Sequence, residues 1–312
     1  MTPALRTAIE QALAAAGRPG AIEGSSPVGG GCIHRAEIVH LKNGPGPGRT
    51  LFVKSNTGGA GSAVAAMFRT EAAGLEALAA PAAIRVPRDP LHGSVGSGAG
   101  GESFLAMEAI ASGRSSGRGK AGFFEDFGRR FARLHRATRG ERFGFDHDNF
   151  IGSTPQPNGW MDDWVEFFRV RRLGFQIDLA RERGHSDPEL DRLMDRLLDR
   201  LDGLIDLPDE PACLLHGDLW SGNYLVGDQG EPVLIDPAVY YGHREADLAM
   251  TELFGGFSPA FYRAYEEEWP PPPGSAERRS LYQLYHLLNH LNLFGRGYRG
   301  QCVAIARRFV RG

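Results

Sequence analysis

The sequence predicts an α+β fold of two lobes, with an antiparallel sheet in residues 1–110 and a mainly helical part in residues 111–312. Three observations predict it. Before residue 110, short β-prone runs alternate with turns rich in glycine and proline. From about residue 112 onward, apolar side chains recur at three- and four-residue spacing, the signature of one helix face. Within that helical part, the apolar run 233–235 reads as a buried strand beyond a polar turn to which the apolar residues 213–215 lead in.

The elements follow in chain order. Leu5, Ile9 and Leu13 share the face of an N-terminal helix, residues 2–17. Residues 21–28 and 34–41 read as strands around the glycine turn Gly29-Gly30-Gly31, and residues 51–54 as a third strand after a Gly/Pro-rich hairpin at 43–48. A helix is expected at 63–80, then a lead-in at 82–91, a glycine-rich loop at 93–101 and a strand at 103–108. Farther on, Phe123, Phe127, Phe131 and Leu134 line one helix, and Leu190, Leu193, Leu197, Leu198 and Leu201 another. Phenylalanines at that spacing are core. Prolines 270–273 separate two late helices, the second carrying Leu281, Leu284, Leu288 and Leu291. There is no internal repeat.

Composition narrows the function classes. A chain of 312 residues with 42% hydrophobic and 23% charged residues can bury a substantial core. A net charge of -3 argues against nucleic-acid binding, which needs a basic face to neutralise phosphates. No apolar run approaches the length of a membrane span, and the first helix has neither a signal-peptide core nor a clear cleavage site, so a cytoplasmic protein is expected. Cys32, Cys213 and Cys302 form no C-x-x-C pair and indicate neither a disulfide framework nor a zinc site. Cys32 stands apart because it adjoins Gly29-Gly30-Gly31, where backbone amides could lower a thiol pKa; a small buried residue is the other reading.

The most informative stretch is His216-Gly217-Asp218-Leu219-Trp220-Ser221-Gly222-Asn223, followed thirteen residues later by Asp236 in Val233-Leu234-Ile235-Asp236-Pro237. A short turn from Asp218 to Asn223 can aim a carboxylate at a substrate hydroxyl while an amide oxygen reaches a magnesium ion. The apolar run before Asp236 would deliver a second carboxylate to the same ion. This follows the protein-kinase pattern H-x-D-x-x-x-x-N plus a later metal-binding Asp, with Ile-Asp-Pro in place of Asp-Phe-Gly. The Phe-Gly pair belongs to a regulated activation segment, so its absence points to a small-molecule kinase that is constitutively assembled. His216 is expected to brace the loop.

The nucleotide end is read from weaker signals. Gly29, Gly30 and Gly31 would let backbone N–H groups approach phosphate oxygens. Lys54, closing the third strand, supplies an ammonium for the phosphates, with Glu71 on the next helix as its partner. Met107, Glu108, Ala109 and Ile110 would form the connection whose backbone groups meet adenine; Glu108 can equally be solvated.

These residues resemble the fructosamine kinase (ketosamine kinase) family, a branch of the protein-kinase-like superfamily that includes aminoglycoside and choline phosphotransferases. The resemblance covers almost the whole chain and rests on Gly29-Gly30-Gly31-Cys32-Ile33, Phe52-Val53-Lys54, residues 145–156 (FDHDNFIGSTPQ), 216–223 and 235–250 (IDPAVYYGHREADLAM). It implies transfer of the ATP γ-phosphate to the 3-hydroxyl of a ketosamine, after which the adduct breaks down and frees the amine. It implies Asp218 as base or hydroxyl-orienting group, Asn223 and Asp236 as magnesium ligands, Lys54 and Glu71 as the phosphate-holding pair, and Asp247 as a brace for the catalytic loop. Trp220 would form a wall for the sugar or pack in the core, and His243, Arg244 and Glu245 could be structural. A redox switch at Cys32 is a further implication.

Two other functions stay open at this point: a kinase for another hydroxyl, such as that of an aminoglycoside or amino alcohol, and a nucleotide-binding module without turnover. Asp146, Asp148, Asp162 and Asp163 would attract a cationic substrate in either kinase. The acceptor is expected to be a free or protein-bound ketosamine, with ATP and Mg2+ as cofactors and a monomer or homodimer as the assembly.

Overall fold

Leu5, Ile9 and Leu13 are buried on one side of helix α1 (Pro3–Ala15), and the reason for that stripe is the sheet beneath it. The computed structural model describes residues 1–29, 34–42, 50–111, 113, 119–207 and 209–311. Thr2 caps α1, its side chain accepting from the amide of Leu5, and Pro3 occupies the first turn. Strands β1 (Ile22–Pro27), β2 (Arg35–Leu41) and β3 (Thr50–Thr57) follow, then helix α2 (Ala63–Ala79) and strands β4 (Leu91–Val95) and β5 (Glu102–Glu108). The sheet order is β1-β2-β3-β5-β4, every neighbouring pair antiparallel. Leu51, Val53, Phe104 and Ala106 join Val39 and the α1 stripe in one apolar cluster.

β4 corrects the expected loop at 93–101, because Gly93 lies in the ladder opposite Phe104. A Cβ at Gly93 would stand 2.7 Å from the Phe104 ring, so this glycine makes room for a cross-strand aromatic side chain.

The helical part begins with α3 (Gly119–Ala137), whose Phe123, Phe127, Phe131 and Leu134 are buried as their spacing predicts. A short hairpin, β6 (Asn149–Ile151) and β7 (Thr154–Gln156), precedes α4 (Trp164–Phe167), a π-helical segment at Phe168–Gly174, and α5 (Phe175–Glu182). Helix α6 (Pro188–Leu198) stops short of Leu201, which lies at the start of the separate turn α7 (Leu201–Leu204) and is still fully buried. Strands β8 (Cys213–Leu215), β9 (Tyr224–Val226), β10 (Pro232–Leu234) and β11 (Tyr240–Gly242) frame the motif, and β8 pairs with β11 while β9 pairs with β10. The chain ends in α8 (Glu245–Leu253), α9 (Pro259–Glu268), α10 (Ser275–Phe294) and α11 (Arg299–Arg311).

Two compact units result: residues 1–119 with 225–236, and residues 120–224 with 237–312. The grouping of 225–236 with the N-terminal sheet has a visible cause. Leu234 donates its amide to the Arg85 carbonyl at 2.9 Å, and the Arg85 guanidinium binds Asp228, Glu231 and Glu108. In the second unit the apolar core runs from Trp164, Phe167 and Phe168 through Leu190 and Met194 to Leu281, Leu284 and Leu288. No helix among the described residues is long and apolar enough to cross a membrane.

Candidate active site

Side chains alternate along β3. Leu51 and Val53 enter the cluster beneath α1, so Lys54 points to the opposite face. On α2, Phe68, Leu75 and Leu78 are buried, at three, four and seven residues from Glu71, so packing that face also carries the Glu71 carboxylate inward. The two meet: Lys54 Nζ donates to Glu71 Oε1 at 2.6 Å and to Asp236 Oδ1 at 2.7 Å. Burial alone would lower the ammonium's pKa, but the two carboxylates outweigh it and hold Lys54 above the ordinary lysine range. Burial pushes Glu71 upward against the pull of Lys54, and the charge on Asp236 adds to the rise.

One ammonium between two carboxylates leaves a negative charge over. Asp236, with a side chain 45% exposed, is the more accessible of the two to a cation. Its backbone is left-handed, φ +55°, a conformation Asp tolerates better than most residues. Nearby, the His34 imidazole packs 4.7 Å from the Phe68 ring and shares a 3.3 Å hydrogen bond with Asn56; burial and the Lys54 charge lower its pKa to about 4, so it is neutral.

Of the remaining nucleotide-end expectations, Gly30, Gly31 and Cys32 lie outside the described residues, as do Ile33 and the hairpin at 43–48. Gly29 is described, and a Cβ there would meet nothing within 4 Å. Met107 is buried in β5 opposite Phe52. Glu108 is ion-paired rather than merely solvated, accepting from Arg85 and Arg88, and its amide donates to the Arg88 carbonyl. The amide of Ala109 reaches the Thr50 carbonyl at 3.4 Å, and Ile110 is half-buried.

The loop between β8 and β9 is built in the second unit. Asp247, in the first turn of α8, accepts the amide of His216 at 2.7 Å and that of Gly217 at 2.9 Å. It also receives His135 Nε2 at 3.2 Å, and His135 Nδ1 lies 2.7 Å from the Tyr265 hydroxyl. Burial lowers the His135 pKa, so a neutral ring donates from Nε2 and accepts at Nδ1. Burial would raise the Asp247 carboxyl, but His135, His216 and the Gly217 amide hold it below the usual range. Gly217 has no substitute: its φ is +82°, and a Cβ would fall 2.0 Å from the Ala238 carbonyl oxygen.

Within the loop, Asn223 donates Nδ2–H to the Asp218 carbonyl at 2.8 Å and to its Oδ2 at 3.2 Å, which leaves the amide oxygen as its acceptor end. His216 is fully buried and takes the Asp218 amide on Nδ1 at 3.3 Å. Trp220 is 38% exposed, which removes the packed-core alternative; its ring lies 6.3 Å from Phe254. The stretch 145–156 ends in the β6/β7 hairpin, whose Asn149 and Gln156 amides bond the Val239 and Ala238 carbonyls just beyond Asp236. His243, Arg244 and Glu245 are buried, Arg244 pairing with Glu210 and Glu245 with Arg278.

In the first unit Lys54 offers a cation to an anion, and in the second Asp218 offers a carboxylate that is 20% exposed. Asn223 and Asp236 each carry a hard oxygen, a type that suits Mg2+. Sequence reasoning missed His34, His135, Tyr265 and His286, which enter these groups from other elements; isolated His and Tyr residues carry no local signal.

The sequence model of the fructosamine kinase family matches residues 4–311. The chain belongs to the fructosamine kinase family. A Synechocystis protein named for ketoamine kinase is 42% identical over 306 residues, 98% of this chain and 97% of its own. The chloroplastic protein-ribulosamine 3-kinase of Oryza sativa subsp. indica is 42% identical over 307 residues, 97% of this chain and 83% of its own. A crystal structure from Haemophilus somnus 129PT named for fructosamine-3-kinase aligns with a TM-score of 0.81 at 28% identity, covering 97% of each chain. As in that fructosamine kinase relative, the fold is protein-kinase-like, with an antiparallel sheet first and helices after it.

Proposed function

We propose that this fructosamine kinase family member transfers the γ-phosphoryl group of ATP to the 3-hydroxyl of a ketosamine, free or protein-bound, as a cytoplasmic deglycation repair enzyme. Asp218 orients the hydroxyl and takes its proton. Lys54, held by Glu71, grips the phosphates, and the backbone at residues 107–110 meets adenine. Asn223 and Asp236 would hold Mg2+, which would supply positive charge to offset that of the phosphates. Trp220 offers its ring to the sugar face.

The observation that carries this reading is the loop 216–223, pinned at its start through two amides on Asp247 while Asp218 stays 20% exposed. Phosphoryl transfer depends mainly on positioning and charge neutralisation, and a loop fixed by buried partners supplies the first. The relatives' names, ketoamine kinase and ribulosamine 3-kinase, support the acceptor class.

The test is a coupled ATPase assay with fructose, ribulose and erythrulose adducts of lysine beside aminoglycosides and choline, with the product position read by phosphorus and proton NMR. Turnover of the ketose adducts with phosphate on O3 is expected. Turnover confined to aminoglycosides or choline would replace the acceptor assignment.

A further inference from the structure

The Asp218 carboxylate is flanked by Asn223 on Oδ2, and its Oδ1 faces a residue of α10 that the motif does not contain. His286 Nδ1 stands 3.9 Å from Asp218 Oδ1, about 1 Å beyond hydrogen-bond length. The His286 residue is 2% exposed, and Nδ1 has no hydrogen-bond partner among the described residues. Orphaned buried nitrogens of this kind are rare and call for a reason. The ring lies 5.1 Å from that of Tyr285, whose hydroxyl donates to Gln156 Oε1 at 2.6 Å, and its helix neighbours Leu284, Leu287 and Leu288 are buried.

The charged and titratable groups that act on His286 are Asp218 from the loop, Asp247 from α8, Arg172 from the π-helical segment and His290 from its own helix. Burial, with His290 and Arg172 adding to it, pushes the imidazole down to about 3. The ring is therefore a neutral donor.

We propose that His286 is a positioning residue for Asp218, its Nδ1–H donating to Oδ1 once the acceptor hydroxyl draws onto the carboxylate, so that Asp218 is held between Asn223 and His286. No proton is transferred: the N–H stays on the ring, and each carboxylate oxygen keeps a lone pair for the substrate. A neutral donor fixes the rotamer without supplying a counter-charge that would weaken the base. This inference rests on Asp218 being the hydroxyl-orienting group.

Steady-state kinetics of His286→Leu, His286→Asn and Asp218→Asn test it, together with nitrogen-15 NMR of histidine-labelled wild type, His286 being assigned by its loss in His286→Asn. His286→Leu should lower kcat roughly tenfold with the ATP KM unchanged. His286→Asn, which returns an N–H near the Nδ1 position, should recover most of that loss, and the wild-type shifts should identify the Nδ1–H tautomer. Wild-type kcat in His286→Leu, equal losses in both His286 variants, or an Nε2–H tautomer would overturn the inference while an inactive Asp218→Asn left the parent reading standing. Full turnover in Asp218→Asn would overturn both. The tautomer measurement needs no substitution to fold beyond the conservative Asn.

Discussion

Lys54 and Asp236 are joined by a 2.7 Å ion pair although 182 residues separate them in the chain. The pair exists because the β9/β10 hairpin is bonded to the segment around Arg85, which brings Asp236 back to the sheet that carries Lys54. With Glu71 on its other side, the ammonium is fixed by two carboxylates and shielded from water, an arrangement suited to gripping phosphate.

Replacing Lys54 by Met should therefore lower kcat/KM for ATP by roughly 10²–10³, the scale of losing one preorganised charge at a transferring phosphoryl group. Lys54→Arg should not rescue it, because a planar guanidinium cannot fill a site shaped around a compact ammonium. ATP titrations at saturating acceptor would measure both; a loss below threefold would remove Lys54 from the phosphate role.

Asp247 serves two backbone amides and an imidazole at once. An Asn there keeps one acceptor oxygen but turns an NH2 group toward a donor, so Asp247→Asn should cost about 3 kcal/mol of stability. Urea melts of the variant against wild type give the number. A change under about 0.5 kcal/mol would mean that the amides of His216 and Gly217 find another acceptor.

His243 predicts a pH dependence. Its ring is buried beside Trp164 at 4.9 Å, and burial, aided by the Arg278 charge, lowers its pKa from 6.5 to about 3. The folded state thus binds the proton less readily than the unfolded chain. The associated stability is complete above pH 6.5 and is lost as pH falls from there toward 3. Between pH 6.5 and 5 the loss is about 2 kcal/mol for this one group. His243→Asn should flatten the stability slope in that window, as measured by urea melts at several pH values; parallel slopes would show that His243 is protonated in the folded protein.

Trp220 is exposed, so Trp220→Ala should leave stability within about 0.5 kcal/mol of wild type. The KM for a ketosamine should rise roughly tenfold while that for ATP stays put, if the ring stacks on the sugar. An unchanged acceptor KM would leave Trp220 without a substrate role.

Much of this was legible along the chain. The helix spacing of Phe123, Phe127 and Phe131, the alternation around Lys54 and the register of Asp218, Asn223 and Asp236 are local patterns, and local patterns survive in a linear reading. The strand β4 was not, because Gly93 resembles a loop residue until Phe104 is placed across from it. Leu201 followed the helical spacing yet lies in a separate turn, since burial of the side chain does not require one unbroken helix.

By itself the sequence determined the order of sheet and helices, the polar turn that holds Asp218 and Asn223, and the lysine and glutamate that could pair, since each depends on spacing within one or two elements. Only the tertiary structure decided that residues 225–236 pack with the N-terminal sheet, that Asp247 bonds His135, which in turn bonds Tyr265, and that His286 faces Asp218. Those are contacts between distant elements. They arise from hydrogen-bond satisfaction and core packing, which no periodicity in a single segment encodes.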